Sequence, residues 1–374
     1  MLFLKDIKLD TLADLKSALQ TAIMLEHSTI PPYLTAVFTL VNTGNDQISS
    51  LIGSVVKEEM LHLSIACNIL NAINGTPVLN QPGFIPTYPG PLPGTVESGL
   101  IVPIAKFSKD LIKNVFMVIE EPENPMHIPV KAMNEMAAPL TIGMFYQKVK
   151  NLITILEAEA KLLGKTIFTG DPAKQMTNEK WFPLEELFPI LDKDSAFRGI
   201  DLIVDQGEGT SEDPFINPGD LGGDDVTTDP AHYYRFEEIF YGKTLEKDPS
   251  EPCGYSYSGP EIPCDLSKIP NMYENPKMAD YPLDSVAYKN SKFFNYTYTN
   301  LLNSLHETFN GEPDKINTAM GLMYSLRLYA GKLLASEDPA HPGFVAGPSY
   351  EYVTNDNLSP DERQLLAADR KVHA

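Results

Sequence analysis

The 374-residue sequence has three cysteines, one tryptophan, no run of basic residues, and no apolar stretch near the roughly 18 residues a membrane-crossing helix needs. Cys67, Cys253 and Cys264 are too few and too scattered for a disulfide framework or an all-thiolate metal site, so a reducing, cytoplasmic setting is expected. Cys253 and Cys264 bracket a Pro/Gly-rich loop and would pair only under oxidising conditions. Lysine and arginine number 29 against 50 aspartates and glutamates, a formal net charge of -21. Such a surface repels phosphate backbones and anionic head groups, which excludes nucleic acid and membrane surfaces as partners. The opening segment MLFLKDIKLD lacks the features of a signal peptide or anchor. Missing too are a glycine-rich phosphate loop opening a helix and a nucleophile elbow.

What remains is an ordinary globular composition, 43% hydrophobic and 21% charged, on a chain long enough to bury a large core. Apolar residues recur with helical period over 10–42 (Leu15, Leu19, Ala22, Ile30), with Asp10 as the expected cap. Pro31 and Pro32 predict a kink there. A second stripe over 46–74 (Ile48, Leu51, Val55, Ala66, Ile69) closes at Asn74-Gly75, so the two form a helical hairpin. Further helices are expected at 106–121 and 131–164, a short one at 230–241 capped by Asp229-Pro230 and ended by Gly242, and a final pair at 285–308 and 313–336. Between them, 75–104, 165–227 and 243–284 are rich in Pro, Gly and Asp and read as irregular insertions, with weak strand candidates at 100–104 and 201–204. Insertions of this length in a compact domain are expected to cover something. The class is all-α, a single domain with bundle helices over about 10–164 and 228–241.

Glu26 occupies a place where the first stripe demands an apolar residue, and Glu59 and His62 do so in the second. Inside a bundle an unpaired carboxylate costs several kcal/mol, on the order of what is needed to force its protonation. Residues at i and i+3 share a helix face, so Glu59 and His62 can hold one ion while Glu26 approaches from the neighbouring helix. Glu-x-x-His steps of this kind build carboxylate-bridged metal sites in four-helix bundles. A buried hydrogen-bond network is the competing reading. His232 lies with Phe236 and Ile239 on the apolar side of its helix, and Asp229 stands three residues before it, an Asp-x-x-His echo that also fits a helix cap. Glu58 reads as solvated or supporting. Glu208, between two glycines, reads as a turn residue before it reads as a ligand, and whether it or Glu120 joins the site is open.

The runs LQTAIMLEHSTIPPYLTAVFTL, KEEMLHLSIACNILNAINGTP, YPGPLPG, MVIEEPE, TIGMFY, DQGEGT, HYYRFEEI and GPSYEYV resemble the ferritin-like iminophenylpyruvate dimer synthase family, which includes the ferritin-like portion of the violacein-pathway enzyme. The resemblance spans about residues 12 to 353. It implies a ferritin-like helical bundle with long Pro/Gly-rich insertions and a C-terminal helix pair. It also implies metal-ligand roles for Glu26, Glu59 and His62 in LEHSTIPPY and EEMLH, and it points to His232. The chain departs at TIGMFY, where Met144 stands in place of an expected carboxylate. A thioether cannot bridge two hard ions as a carboxylate does.

These readings give an expected function: a non-haem, metal-dependent oxidoreductase of specialised metabolism acting on a small, amino-acid-derived substrate. Iron is the expected metal, as one or two ions, with copper and manganese as alternatives. The contrasting class is a catalytically inactive ferritin-like scaffold in a biosynthetic assembly, and a homo-oligomer is compatible with either. Counting Glu26, Glu59 and His62 as one complete set, with only His232 and Asp229 left for another, predicts one tightly held ion.

Overall fold

The computed structural model describes residues 10–95, 99–122, 141–179, 186–207, 213–215 and 229–372. Glu208, Trp181 and the start of the helix expected at 131–164 lie outside them. The described residues are mostly helical, in agreement with the all-α expectation.

Helix α1 (Leu12–Leu40) is capped by Thr11 rather than Asp10. Asp14 N–H donates to Thr11 Oγ1 at 3.2 Å and Thr11 N–H donates to the Asp14 carboxylate at 2.9 Å, a reciprocal capping box. The helix continues through Pro31 and Pro32. Each proline frees the carbonyl four residues earlier. For Pro32 that carbonyl belongs to Ser28, and it accepts a hydrogen bond from Tyr88 Oη at 2.6 Å, so the missing donor is replaced from the 75–104 insertion. Every residue from Leu25 to Tyr33 is buried, the pattern of a helix covered on all sides.

Helix α2 (Asp46–Ala72) packs along α1 as the other half of the hairpin. It ends as expected: Asn74 takes a left-handed φ of 57° and Gly75 N–H returns to Leu70 O at 2.8 Å. The third element, α3, is composite. Helical residues Lys109–Leu111 and Met117–Ile119 flank a π turn at Ile112–Phe116, in which Met117 N–H reaches back to Ile112 O. Helix α4 (Ile142–Leu162) packs on α1, with Thr141 as its cap.

Helix α5 (Lys193–Gly207) falls inside the stretch expected to be irregular. Asp192 and Ser195 cap one another at its start, and Ala196, Gly199, Ile200, Ile203 and Gln206 form its buried stripe. The DLIV run at 201–204 was a weak strand candidate because so short an apolar run fits either element. Gly199 lets the helix approach α2 closely: a Cβ there would lie 2.8 Å from Ile65 Cγ2.

Helix α6 (His232–Tyr241) begins two residues later than expected, with Ala231 at the cap and no side-chain cap. Gly242 ends it at φ 76°, as read from the sequence. Helices α7 (Val286–Thr308) and α8 (Ile316–Leu334) form the expected C-terminal pair, and α9 (Pro360–Val372) adds a helix that the sequence reading omitted. The pair packs closely together, and α8 reaches the α1 side of the bundle. A two-residue hairpin, β1 (Glu246–Lys247) with β2 (Tyr255–Ser256), sits in the 243–284 insertion. The 100–104 candidate contributes only the bridge between Gly90 and Val102. Cys67, Cys253 and Cys264 are all unpaired. Among the described residues no helix is long and apolar enough to cross a membrane.

Candidate metal centre

Glu26 from α1 and Glu59 and His62 from α2 meet in the interior, all buried. His62 Nδ1 lies 3.6 Å from Glu26 Oε2 and 3.8 Å from Glu59 Oε1. These separations are too long for hydrogen bonds and leave room between the atoms. The spacing argument placed these three side chains correctly because both helices run without a break through them.

A second group, Glu59, Glu120 and His232, shares Glu59 with the first. His232 Nδ1 lies 3.0 Å from Glu59 Oε1 and 3.5 Å from Glu120 Oε2, yet it is buried without a hydrogen-bond partner. The two imidazoles stack with centroids 5.5 Å apart. Glu120 follows directly on α3, and the π turn sets its direction. Asp229 is not brought to this group: it is exposed, lies before the first turn of α6 and belongs to neither cluster. The Asp-x-x-His spacing implies a shared face only if the helix has already begun at the aspartate, and here it has not. Met144 is half-buried on the first turn of α4.

Both histidines are held from behind. His62 Nε2 is 2.9 Å from Gln206 Oε1, an acceptor, which places the proton on Nε2 and the lone pair of Nδ1 toward Glu26 and Glu59. His232 Nε2 is 2.7 Å from Glu58 Oε2, which likewise leaves Nδ1 facing Glu59 and Glu120. Arg235 binds the same Glu58 carboxylate at 3.1 Å through each of its two terminal nitrogens. Burial raises the Glu58 carboxyl, but His232 and Arg235 outweigh it and hold the group down to about 2. The sequence reading set Glu58 aside as a supporting residue, and it has that place.

The carboxylates are fixed in turn. Tyr146 Oη donates to Glu26 Oε1 at 2.6 Å, Thr29 Oγ1 to Glu59 Oε2 at 2.8 Å and Tyr33 Oη to Glu120 Oε1 at 2.5 Å. Burial and the neighbouring carboxylates push both tyrosines far above their ordinary values, so they remain donors. Burial, reinforced by Glu120, lifts Glu59 to about 7. Burial alone would lower His62 and His232, but the facing carboxylates raise both.

Three buried carboxylates and two imidazoles thus converge on one interior space, where protons on the imidazoles and on Glu59 offset the negative charge until a metal ion displaces them. Oxygen and imidazole donors suit iron, manganese or zinc better than a thiolate-seeking ion. Carboxylate–histidine and amide–histidine pairs such as Glu58–His232 and Gln206–His62 are the outer contacts that orient metal-ligating imidazoles. The donor set therefore fits a metal, held through Glu26, Glu59 and His62 on one side and Glu59, Glu120 and His232 on the other.

Comparison with known proteins gives concordant results. A family model described as ferritin-like matches residues 19–241, a span that contains every donor named above. The crystal structure of a ferritin-like protein from Caulobacter vibrioides superposes with a TM-score of 0.57 at 20% identity, covering 91% of this chain and 98% of the other. At that identity the likeness concerns the fold. No curated protein matches the chain.

Proposed function

Because the chain belongs to the ferritin-like family, we propose that its bundle holds a carboxylate-bridged pair of transition-metal ions, iron foremost, and serves as a non-haem oxidoreductase. The observation that carries this reading is Glu59, whose carboxylate belongs to both donor groups. A single ion at Glu26, Glu59 and His62 would leave the Glu59, Glu120 and His232 donors unused, and this second group supports two ions rather than the one that the sequence count gave.

When bound, such a centre supplies one-electron steps to and from dioxygen or an organic substrate. The chain's own residues do the rest. Glu26, Glu59, Glu120, His62 and His232 provide the donors. Glu58 and Gln206 fix the imidazole tautomers, and Tyr33, Tyr146 and Thr29 hold the carboxylates in place. Burial excludes bulk water, which strengthens every charge interaction inside. Although Met144 supplies no carboxylate, two buried donor groups that share Glu59 and keep their supporting contacts favour this reading over that of an inactive scaffold. The resemblance to iminophenylpyruvate dimer synthases supports a small, amino-acid-derived imine or keto acid as substrate.

Anaerobic titration of the purified protein with ferrous iron, followed by exposure to dioxygen with an aromatic α-imino acid, tests the proposal. Two ions bound per chain and substrate-dependent oxygen consumption are expected. Failure to bind ferrous, manganous or zinc ions would end the metal reading, and binding without oxygen consumption for any such acid would end the proposed chemistry.

A further inference from the structure

A cavity of about 380 Å³ lies between α1, α2, α7 and α8, away from the metal donors. Its walls include Ile30 and Leu34 of α1, Leu63 of α2, and Leu301 and Leu305 of α7. On α1 the donors and their supports are Glu26, Thr29 and Tyr33, whereas the cavity takes residues 27, 30, 31 and 34. One residue is about 100° of helical rotation, so the cavity occupies the adjacent face of the same two helices. It therefore stands apart from the proposed centre.

Among the polar residues that interrupt the apolar lining, His27, Lys57 and Arg327 carry ionisable nitrogen. His27 is buried, with Nε2 2.8 Å from Tyr298 Oη and with Nδ1 lacking any hydrogen-bond partner among the described residues. Lys57 and Arg327 also line the cavity and are exposed, and among the described residues neither is in an ion pair. On a chain of net charge -21, two exposed cations on the rim of one apolar cavity, in no ion pair with another described residue, offer positive charge to an anionic ligand. A shallower groove continues from it along α8, sharing Tyr324 and Arg327.

We propose that this cavity is a binding site for an amphipathic monocarboxylate, with its hydrocarbon or arylalkyl body against the leucines and its carboxylate against Lys57 and Arg327. The volume falls at the lower end of the roughly 300–1,000 Å³ typical of small-molecule sites, which suits a medium-length chain. Arginine offers the carboxylate a two-pronged contact and lysine a point charge. The apolar walls supply affinity in proportion to the surface they cover, and the rim cations supply selection for an anion.

The test is calorimetric titration of the full chain with octanoate, dodecanoate, 4-phenylbutyrate and the neutral octan-1-ol. Saturable one-to-one binding of at least one carboxylate is expected. Combining Lys57→Gln with Arg327→Gln, both surface changes, should weaken carboxylate binding at least tenfold and leave octan-1-ol unchanged. Leu34→Trp should abolish both. Absence of binding by all three acids at millimolar concentration overturns the proposal, as does carboxylate affinity that survives the double substitution. A dimer that closes the cavity, seen as Tyr324→Arg converting dimer to monomer while neither form takes up an acid, also overturns it. Repeating the titration after chelation separates this site from the metal centre: affinity should be unchanged, and its loss would refute an independent site.

Discussion

Glu58 Oε2 lies 2.7 Å from His232 Nε2, and the same carboxylate is gripped by Arg235, whose side chain is almost wholly buried. A carboxylate that holds the far nitrogen of an imidazole fixes its ring plane and leaves the near nitrogen basic. Glu58→Gln retains the shape but removes the charge. It should weaken the ion at Glu59, Glu120 and His232 by roughly 10–100-fold. Competition against a chelator of known affinity reads the change. Unaltered affinity would assign Glu58 to the neutralisation of Arg235 alone.

The shared position of Glu59 makes stoichiometry a sharp test. Glu120→Ala should reduce metal content from about two ions per chain to about one, whereas Glu59→Ala should leave neither held tightly. Elemental analysis after gel filtration decides the matter. Equal loss in the two variants would contradict the division into two groups.

The bond from Tyr88 Oη to Ser28 O compensates the carbonyl that Pro32 leaves without a donor. Tyr88→Phe deletes the hydroxyl and strands a buried acceptor, for which a loss of about 1–3 kcal/mol is expected. Urea unfolding followed by circular dichroism measures it. A midpoint within error of the parent would mean that the carbonyl finds another donor.

Glu237, which belongs to neither donor group, gives the fold a pH dependence. Burial, with a contribution from Glu121, pushes its carboxyl up to about 7 against the opposing hydrogen bonds of Tyr257 and Tyr233. The unfolded carboxyl ionises near 4.5. Between these values the folded state holds the extra proton, so stability falls as pH rises from about 4.5 through 7 and levels off above. Glu238, also raised to about 7 by burial, adds a slope of the same sign. Glu237→Gln should therefore raise stability at pH 8 by on the order of 2 kcal/mol, change little at pH 5, and flatten part of the slope. Melting temperatures across that range would show it, and an undiminished slope would assign the effect to other groups.

The first donor group was legible in the sequence because α1 and α2 are long, uninterrupted helices whose stripes are broken only by Glu26, Glu59 and His62. Glu120 was not placed, because a π turn lies between it and Leu111, and a helical wheel drawn at constant pitch misses by the width of that turn. Gln206 was out of reach for another reason. Its helix ends where a Gly/Asp-rich run begins, and Gln206 sits in that last turn, so the contact with His62 depends on packing that only the fold supplies. Tyr33 and Thr29 had a readable signal, since seven and three residues after Glu26 are positions on its own face. Asp229 was overvalued by spacing alone.

The wider turn at Ile112–Phe116 also makes the second donor group's dependence on chain length a matter of where the length changes. That turn absorbs one extra residue without re-aiming the segments on either side, so deleting a residue there would restore regular pitch and leave Glu120 facing the interior, whereas deleting one from the regular turn after it would swing Glu120 by about 100°. A relative with a one-residue gap at Ile112–Phe116 would therefore present the same donors on a regular helix, while a gap between that turn and Glu120 would not, so the place of a gap matters as much as the donors that flank it.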